Sequence, residues 1–396
     1  MFTILTQTVQ LLSNRIQMPF LLIIILILSL TSPLAAEVFS ISGYCRDSAL
    51  LRRQTVGSKT TSNFDNFLTA RQNLKFYPVP SLTLGVELRE RLCSGQSIQT
   101  WLAAFDAGGS SGYFKWRRNF ADEKKFALTG EIDRLWLDCE KGNAQLTFGR
   151  QRIAWGTNLV WNPLDIFNPS SPLDFENEEK PGGDAARLQI YTSSVAKVEA
   201  AVEARRDEEP AAAALIKQNA KDYDLYFIAG RREGEILGGM AWAGDISDGG
   251  FRGETLFRRR KSAPTKSVVD AQVALSGDYT FHNSLYLHSE VLYNSAGVGG
   301  AAGGLRLEEA ARLRLLSPAR WSLFGEIAGN VNPLARAGVS GILNPDDHSY
   351  YLAASFQASV FENVDFSTLA LILGGESGTE FGEGEEAFIV RLKWSF

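Results

Sequence analysis

One long connection in this chain carries a run of carboxylates, among them Asp165, Asp174, Glu176, Glu178 and Glu179. Cations recur elsewhere at alternate positions of expected strands: Arg252, Arg258, Arg312, Arg314, Arg391 and Lys393. Fixed charges of opposite sign facing each other across water are what a selective lumen needs. Such a pair of walls sets up a transverse field that orients a polar solute and disfavours an apolar one. The same charges also fit a solvated rim. Other chemistries have less to work with. His282, His288 and His348 are the only histidines, and neither they nor Cys45, Cys93 and Cys139 show metal-ligand spacing. No metal or cofactor is expected. His282-Asn283-Ser284 and His288-Ser289 bring serine near histidine, but adjacent strand residues point to opposite faces, so neither is a ready dyad. Asp174 and Glu176 have acid–base capacity and read more simply as charge lining.

The connection that holds the acids runs over 148–184, FGRQRIAWGTNLVWNPLDIFNPSSPLDFENEEKPGGD. It leaves an alternating strand at Phe148, passes Gly149-Arg150-Gln151-Arg152, and contains two Asn-Pro steps at Pro163 and Pro169. Asn-Pro is a turn signal, so the connection has a defined shape. Arg150 and Arg152 share parity with Ala144, Leu146 and Phe148, the face assigned to lipid. An arginine at the bilayer midplane costs roughly 2–4 kcal/mol. Two readings relieve the conflict: the strand ends before Arg150, or Gly149 makes a bulge that turns Arg150 inward, and the bulge is preferred. Arg150 and Arg152 then join the constriction. Trp155 and Trp161 become packing anchors of a loop over 152–184 held inside, or else interfacial aromatics.

The flanking elements alternate with period two. Over 269–280, Val269, Ala271, Val273, Leu275, Gly277 and Tyr279 make one face, opposite Asp270, Gln272, Ser276, Asp278 and Thr280. The last strand puts Phe388, Val390, Leu392, Trp394 and Phe396 on one side and Arg391, Lys393 and Ser395 on the other. A chain that stops on an aromatic with every second side chain apolar suits a closing strand with one face in lipid. The expected fold is all-β, a transmembrane antiparallel up-and-down β-barrel. At roughly 20 to 24 residues per strand and connection it has about 16 strands, within 14–18. A soluble β-sandwich or solenoid also alternates, but no strict repeat length supports a solenoid.

Residues 1–36 contain one basic residue, Arg15, then an apolar run from Phe20 and a small-residue end at Ala35-Ala36. They read as a secretory signal peptide, with 37–396 a single outer-membrane barrel. The apolar run is too short for a spanning helix, which needs roughly 20 residues. The formal net charge of −5 argues against a nucleic-acid partner. Three cysteines in an exported chain allow one disulfide, and three unpaired thiols is the simpler reading.

The ending AFIVRLKWSF resembles the carboxy-terminal signature recognised by the outer-membrane assembly machinery. The stretch LTFGRQRIAWGTNLVWNPLDIFNP resembles the strand-and-loop motif of porin-like bacterial outer-membrane barrels akin to the alginate-export and DUF1302-type barrels. AGRREGEILGG and LSGDYTFHNSLYLHSEVLYN fit the same group. The resemblance implies an outer-membrane channel, with lipid, the assembly machinery (through the strand ending in Phe396) and small solutes as partners. It names no solute. The expected function is passive diffusion of small polar or charged solutes, narrowed by the 152–184 loop. Export of a polysaccharide or other polymer is the alternative; an outer-membrane enzyme or an adhesin is further off.

Overall fold

In a computed structural model of the chain, the described residues are 38–396 apart from 57–58, 110–111, 170–178, 181, 207, 264–265 and 304–315. The expected leader at 1–36, and Asp174, Glu176, Glu178, Arg312 and Arg314, lie outside the described residues. The first strands are β1 (Phe39–Val56), β2 (Lys59–Val79) and β3 (Leu82–Gly95), followed by a helix, α1 (Ile98–Gly109). Next come β4 (Arg117–Glu123), β5 (Phe126–Lys141), β6 (Ala144–Gln151), β7 (Gly183–Tyr191), β8 (Lys197–Ala204) and β9 (Ala211–Ala220). The wall continues with β10 (Tyr223–Arg232), β11 (Glu235–Ile246), β12 (Gly249–Ala263), β13 (Lys266–Thr280) and β14 (Tyr286–Asn294). It finishes with β15 (Trp321–Asn332), β16 (Ala335–Leu343), β17 (Tyr350–Phe361), β18 (Val364–Gly374) and β19 (Glu385–Ser395).

Sequential strands pair antiparallel, and β19 returns to pair with β1 from Tyr44↔Ser395 to Gln54↔Glu385. Closure removes both sheet edges, which a wall in lipid requires because no water is there to satisfy a free edge. The seam extends to the last residue: Gly43 and Phe396 exchange two backbone hydrogen bonds of 2.9 Å. The closed circuit holds 18 strands, the upper end of the expected range, and β4 is an extra strand beside β5.

Alternation decides which side faces out. On β19, Phe388, Leu392 and Trp394 are exposed while Ala387 and Ile389 are enclosed. Turns at the end bearing Phe396 are short, as in Ala220–Tyr223 and Phe361–Val364; the long connections lie at the opposite end. That asymmetry is the periplasmic and extracellular polarity of outer-membrane barrels. No disulfide joins Cys45, Cys93 and Cys139.

The interior holds two apolar clusters. One gathers α1 through Ile98, Trp101, Leu102 and Phe105 against Leu50, Phe67, Cys93 and Ala127 of the wall. The other gathers Ile153, Trp155, Leu164, Ile166 and Phe167 of the β6–β7 connection against Ala185, Ala201, Ala211, Ala213 and Leu215. The small inward alanines of β7 to β9 leave room for the aromatic side chains laid on them.

The expected bulge at Gly149 is not there. The β5–β6 register is continuous from Lys141↔Ala144 to Leu135↔Arg150. The irregularity is in β5 instead, where the pairing with β3 skips Asp133 between Glu87↔Arg134 and Leu88↔Ile132. Gly149 contributes a positive φ of 113°, and a Cβ there would lie 2.3 Å from the Leu135 carbonyl oxygen. Gly149→Ala is therefore expected to cost about 1–3 kcal/mol. Reversible urea unfolding in lipid vesicles measures it, and an unchanged midpoint would refute the strain.

Candidate functional site

The site is built on inward-facing carboxylates of the wall. After Gln151 the chain leaves the sheet and crosses the interior, and its backbone N–H groups lose the ladder. Buried N–H groups need acceptors, since leaving one unpaired costs about 1–3 kcal/mol. Two wall glutamates and one loop aspartate supply most of them, and a third wall glutamate takes a side-chain N–H. Glu254 on β12 accepts from the N–H of Thr157, from Asn158 at 2.9 Å and from Leu164 at 2.9 Å. Glu290 on β14 accepts from Val160 at 3.1 Å and Trp161 at 2.7 Å. Asp165 turns the chain back on itself, taking the N–H of Trp155 at 2.6 Å and Gly156 at 2.7 Å. Glu199 on β8 accepts the Trp155 indole N–H at 2.7 Å and is neutralised by Arg187 and Lys197.

The two tryptophans end on different walls. Trp155 packs edge-on against Phe167, with ring centroids 5.0 Å apart, over β8. Trp161 is fully buried, packs on Phe324 of β15, and donates its indole N–H to Leu316 O at 3.1 Å. Pro163 is buried and Pro169 half-buried. The neighbouring Asn168 accepts the Ile153 N–H at 2.7 Å, closing the segment as a compact turn.

The far end of the connection reaches a basic arc. Arg71 on β2 and Arg89 on β3 converge on buried Asp133, at 2.7 and 3.3 Å. Glu179 approaches both, at 3.6 Å from Arg71 and 3.4 Å from Arg89, and accepts from the Tyr44 hydroxyl at 3.0 Å. Arg134 completes the knot, 3.2 Å from Asp133, and donates to Lys180 O. Buried charges persist when fully paired and are costly when one partner is lost. The connection thus spans the interior, from the glutamates of β8, β12 and β14 to the arginines of β2 and β3.

Arg150 does not line a lumen. It registers opposite Asp184 of β7, and its side chain is enclosed. Its Nε donates to Asp133 O at 3.1 Å, its Nη2 lies 3.6 Å from Glu131, and its Nη1 lies 3.9 Å from Asp184. β6 stops below this point and β4 begins above it, where the Ile132 N–H reaches Trp116 O at 3.1 Å. Arg150 lies in that seam and takes up a carbonyl that the ladder leaves over. The segment before β4 covers it: Asp184 accepts from the Phe114 N–H and the Trp116 indole, each at 2.9 Å. The arginine keeps its outward parity and escapes lipid because the chain folds over it. Arg152 is exposed.

The other sequence-derived residues are spread along the wall. Arg252 pairs with Asp278, and Arg258 shares the inward parity of Glu254 and Leu256. Arg391 and Lys393 share the inward parity of Ala387 and Ile389, and Lys393 lies 4.4 Å from the Tyr44 ring centre. Asp165 serves the loop's own backbone and contacts Lys180 at 3.4 Å. Sequence reasoning missed Glu199 and Glu254, the arginines on β2 and β3, and Asp133. Inward parity was the only signal for them, and many wall residues share it.

Ser276 Oγ lies 3.0 Å from His288 Nε2, a nucleophile–base spacing. Both are 2% exposed, however, and His288 Nδ1 is 4.0 Å from Glu326, beyond a hydrogen bond. Among the described residues no group of His, Cys, Asp or Glu could hold a metal ion.

The extracellular mouth carries a further carboxylate, Glu380, in the β18–β19 connection. It accepts from Ser317 at 2.9 Å and Asn344 at 3.2 Å, and its N–H donates to Asp347 at 2.7 Å. Burial pushes its carboxyl up to about 7; Ser317 and Asn344 pull it down, and the Asp347 charge raises it further.

No family model matches the sequence, and no curated protein matches it. Solved outer-membrane porins of the OprD/Occ type do match in structure. Pseudomonas aeruginosa OccK2 (OpdF) is 9% identical, covers 91% of this chain and 98% of its own, and gives a TM-score of 0.58. Pseudomonas aeruginosa OccK11 (OpdR) is 8% identical over 90% and 96%, with a TM-score of 0.57. Pseudomonas aeruginosa OprD is 10% identical over 91% and 95%, with a TM-score of 0.56. The chain has the porin fold of the bacterial outer membrane. The narrower resemblance to alginate-export and DUF1302-type barrels gains no support from these neighbours.

Two outcomes follow. Glu254→Gln keeps the volume but removes the charge that holds three N–H donors. Hydrogen bonds to charged groups contribute about 1.5–3 kcal/mol, so amide exchange at Thr157, Asn158 and Leu164 is expected to speed up by about tenfold or more. Unchanged exchange would refute the anchor. For Glu380, the folded pKa lies above the ordinary carboxylate value. The mouth cluster is therefore most stable in acid, where Glu380 is protonated in every state, and it loses stability as pH rises through about 7. Exchange in 375–384, corrected for its intrinsic pH dependence, should rise in the wild type from the ordinary carboxylate range up to about pH 7, level off above it, and stay flat in Glu380→Gln.

Proposed function

We propose that the chain forms an outer-membrane channel for passive diffusion of small polar or charged solutes, narrowed by the β6–β7 connection. The observation that carries this is the grip of Glu254 and Glu290 on the backbone of residues 157–164 inside a closed wall. A segment held on buried carboxylates narrows the interior at a fixed place. Arg71, Arg89 and Glu179 meet at the far end of the connection, and Arg252, Arg258, Arg391 and Lys393 lie on the inward faces of other strands. A charged rim of that kind favours polar solutes.

Polymer export fits less well. A polysaccharide in transit needs a wide continuous lumen, and here α1 and the β6–β7 connection both pack into the interior. The enclosed Ser276–His288 pair gives the enzyme reading no site.

Planar-bilayer recording of the refolded protein tests the proposal. Discrete conductance steps with an ion preference are expected, and deletion of 155–179 should raise the step size severalfold. A barrel that folds and remains silent overturns the channel. A deletion that leaves the step unchanged removes the connection from the constriction.

A further inference from the structure

Most of the outer wall is apolar at the depth of the acyl chains. By parity, β11 from Ile236 to Gly244 and β13 from Val269 to Tyr279 turn only apolar, aromatic or glycine residues outward. The same holds for β15 from Trp321 to Gly329 and β17 from Tyr350 to Ala358. β1 to β3 depart from this. Their outward faces carry Asp47, Asn66, Gln72 and Glu90. Asp47 is not a rim residue. It registers opposite Leu68 of β2 and Leu392 of β19, which are 44% and 50% exposed. Leu51 and Phe64 are exposed on one side of it along the strands, and Trp394 and Phe396 on the other.

The four polar side chains form two donor–acceptor pairs. Asn66 Nδ2 donates to Asp47 Oδ1 at 2.9 Å, and Asp47 remains exposed. Gln72 hydrogen-bonds Glu90 between β2 and β3, while Gln72 Oε1 and Glu90 Oε2 accept no hydrogen bond. A carboxylate has about four acceptor sites, and acyl chains offer no donor to fill them. Ionisable side chains at bilayer depth are retained where protein, not lipid, faces them. Cys45, Ala49 and Ala70 share these outward faces and are small, which lets another wall approach closely.

We propose that a second copy of this chain covers the outer face of β1 to β3, related by a two-fold axis along the bilayer normal. Self-complementarity picks out this occupant. Each copy brings carboxylates that lack donors and carboxamides that can donate, all on one face. An axis along the normal keeps every group at its own depth. Asp47 and Asn66 stand on neighbouring strands, so an axis passing between them sets the Asp47 carboxylate of each copy against the Asn66 amide of the other. A two-fold contact uses the same patch on both subunits and is closed, so it stops at two copies. The contact lies outside the wall and does not depend on what the channel conducts.

Single-molecule photobleaching of the full-length protein in lipid vesicles, with one dye per chain, tests this. Two bleaching steps are expected at protein dilutions where chance co-occupancy gives one. Asp47→Leu/Glu90→Leu makes the face suit lipid. It should raise the dissociation constant of the pair about tenfold or more while the barrel stays heat-modifiable on gels. Oxidation with copper phenanthroline should join the copies through Cys45, giving a band of twice the chain mass that Cys45→Ser abolishes and Cys139→Ser retains. Single-step bleaching would overturn the interface, and so would complexes of three or more copies. Pairing that the double substitution leaves unchanged, or cross-linking of Cys45 only to a protein of another mass, would do the same.

Discussion

The carboxylate of Glu254 is the interaction on which the interior depends. It is fully buried, comes from the middle of a wall strand, and accepts three backbone N–H groups from a segment that has left the sheet. A membrane wall forbids unpaired backbone, and a chain that turns off the wall must find acceptors elsewhere. Glu254 and Glu290 are those acceptors. Once they hold residues 157–164, the apolar side chains around them have one place to go: Trp155 and Leu164 onto the small alanines of β7 to β9, Trp161 onto Phe324. The far end then meets Arg71 and Arg89 through Glu179.

Leaving the wall has a cost on the outside too. β6 and β7 are short, and above them β5 faces a gap that β4 fills only in part. Arg150 bridges the remaining carbonyl and pairs with Asp184, and the chain before β4 lies over both. One departure from regular pairing thus explains a positive φ at Gly149, an arginine with lipid-facing parity and an extra strand.

Much of the fold was legible in the sequence, because lipid on one side and polar groups on the other impose period two. β13 and β19 declare themselves by it, and the terminal Phe396 marks the closing strand. The strand count was less legible. The alanines of β9 look featureless until the connection packed on them is seen, and α1 lies in a stretch with no alternation at all. The site was legible in outline only. The Trp, Pro and Gly content of 148–184 marked a connection of defined shape, while the acceptors that hold it are single glutamates on distant strands. Parity places such a residue inside; it does not say which backbone it meets. Arg150 shows the same limit, since its surroundings come from residues 112–116, which sequence reasoning could not place beside it.

The account turns on Glu254 acting through the segment it holds, and a double-mutant conductance cycle tests that directly. Glu254→Gln should change single-channel conductance in the full-length barrel and have no further effect in a barrel lacking 155–179. An equal effect of Glu254→Gln in both backgrounds would contradict the account, because the glutamate would then act on the pore without the segment.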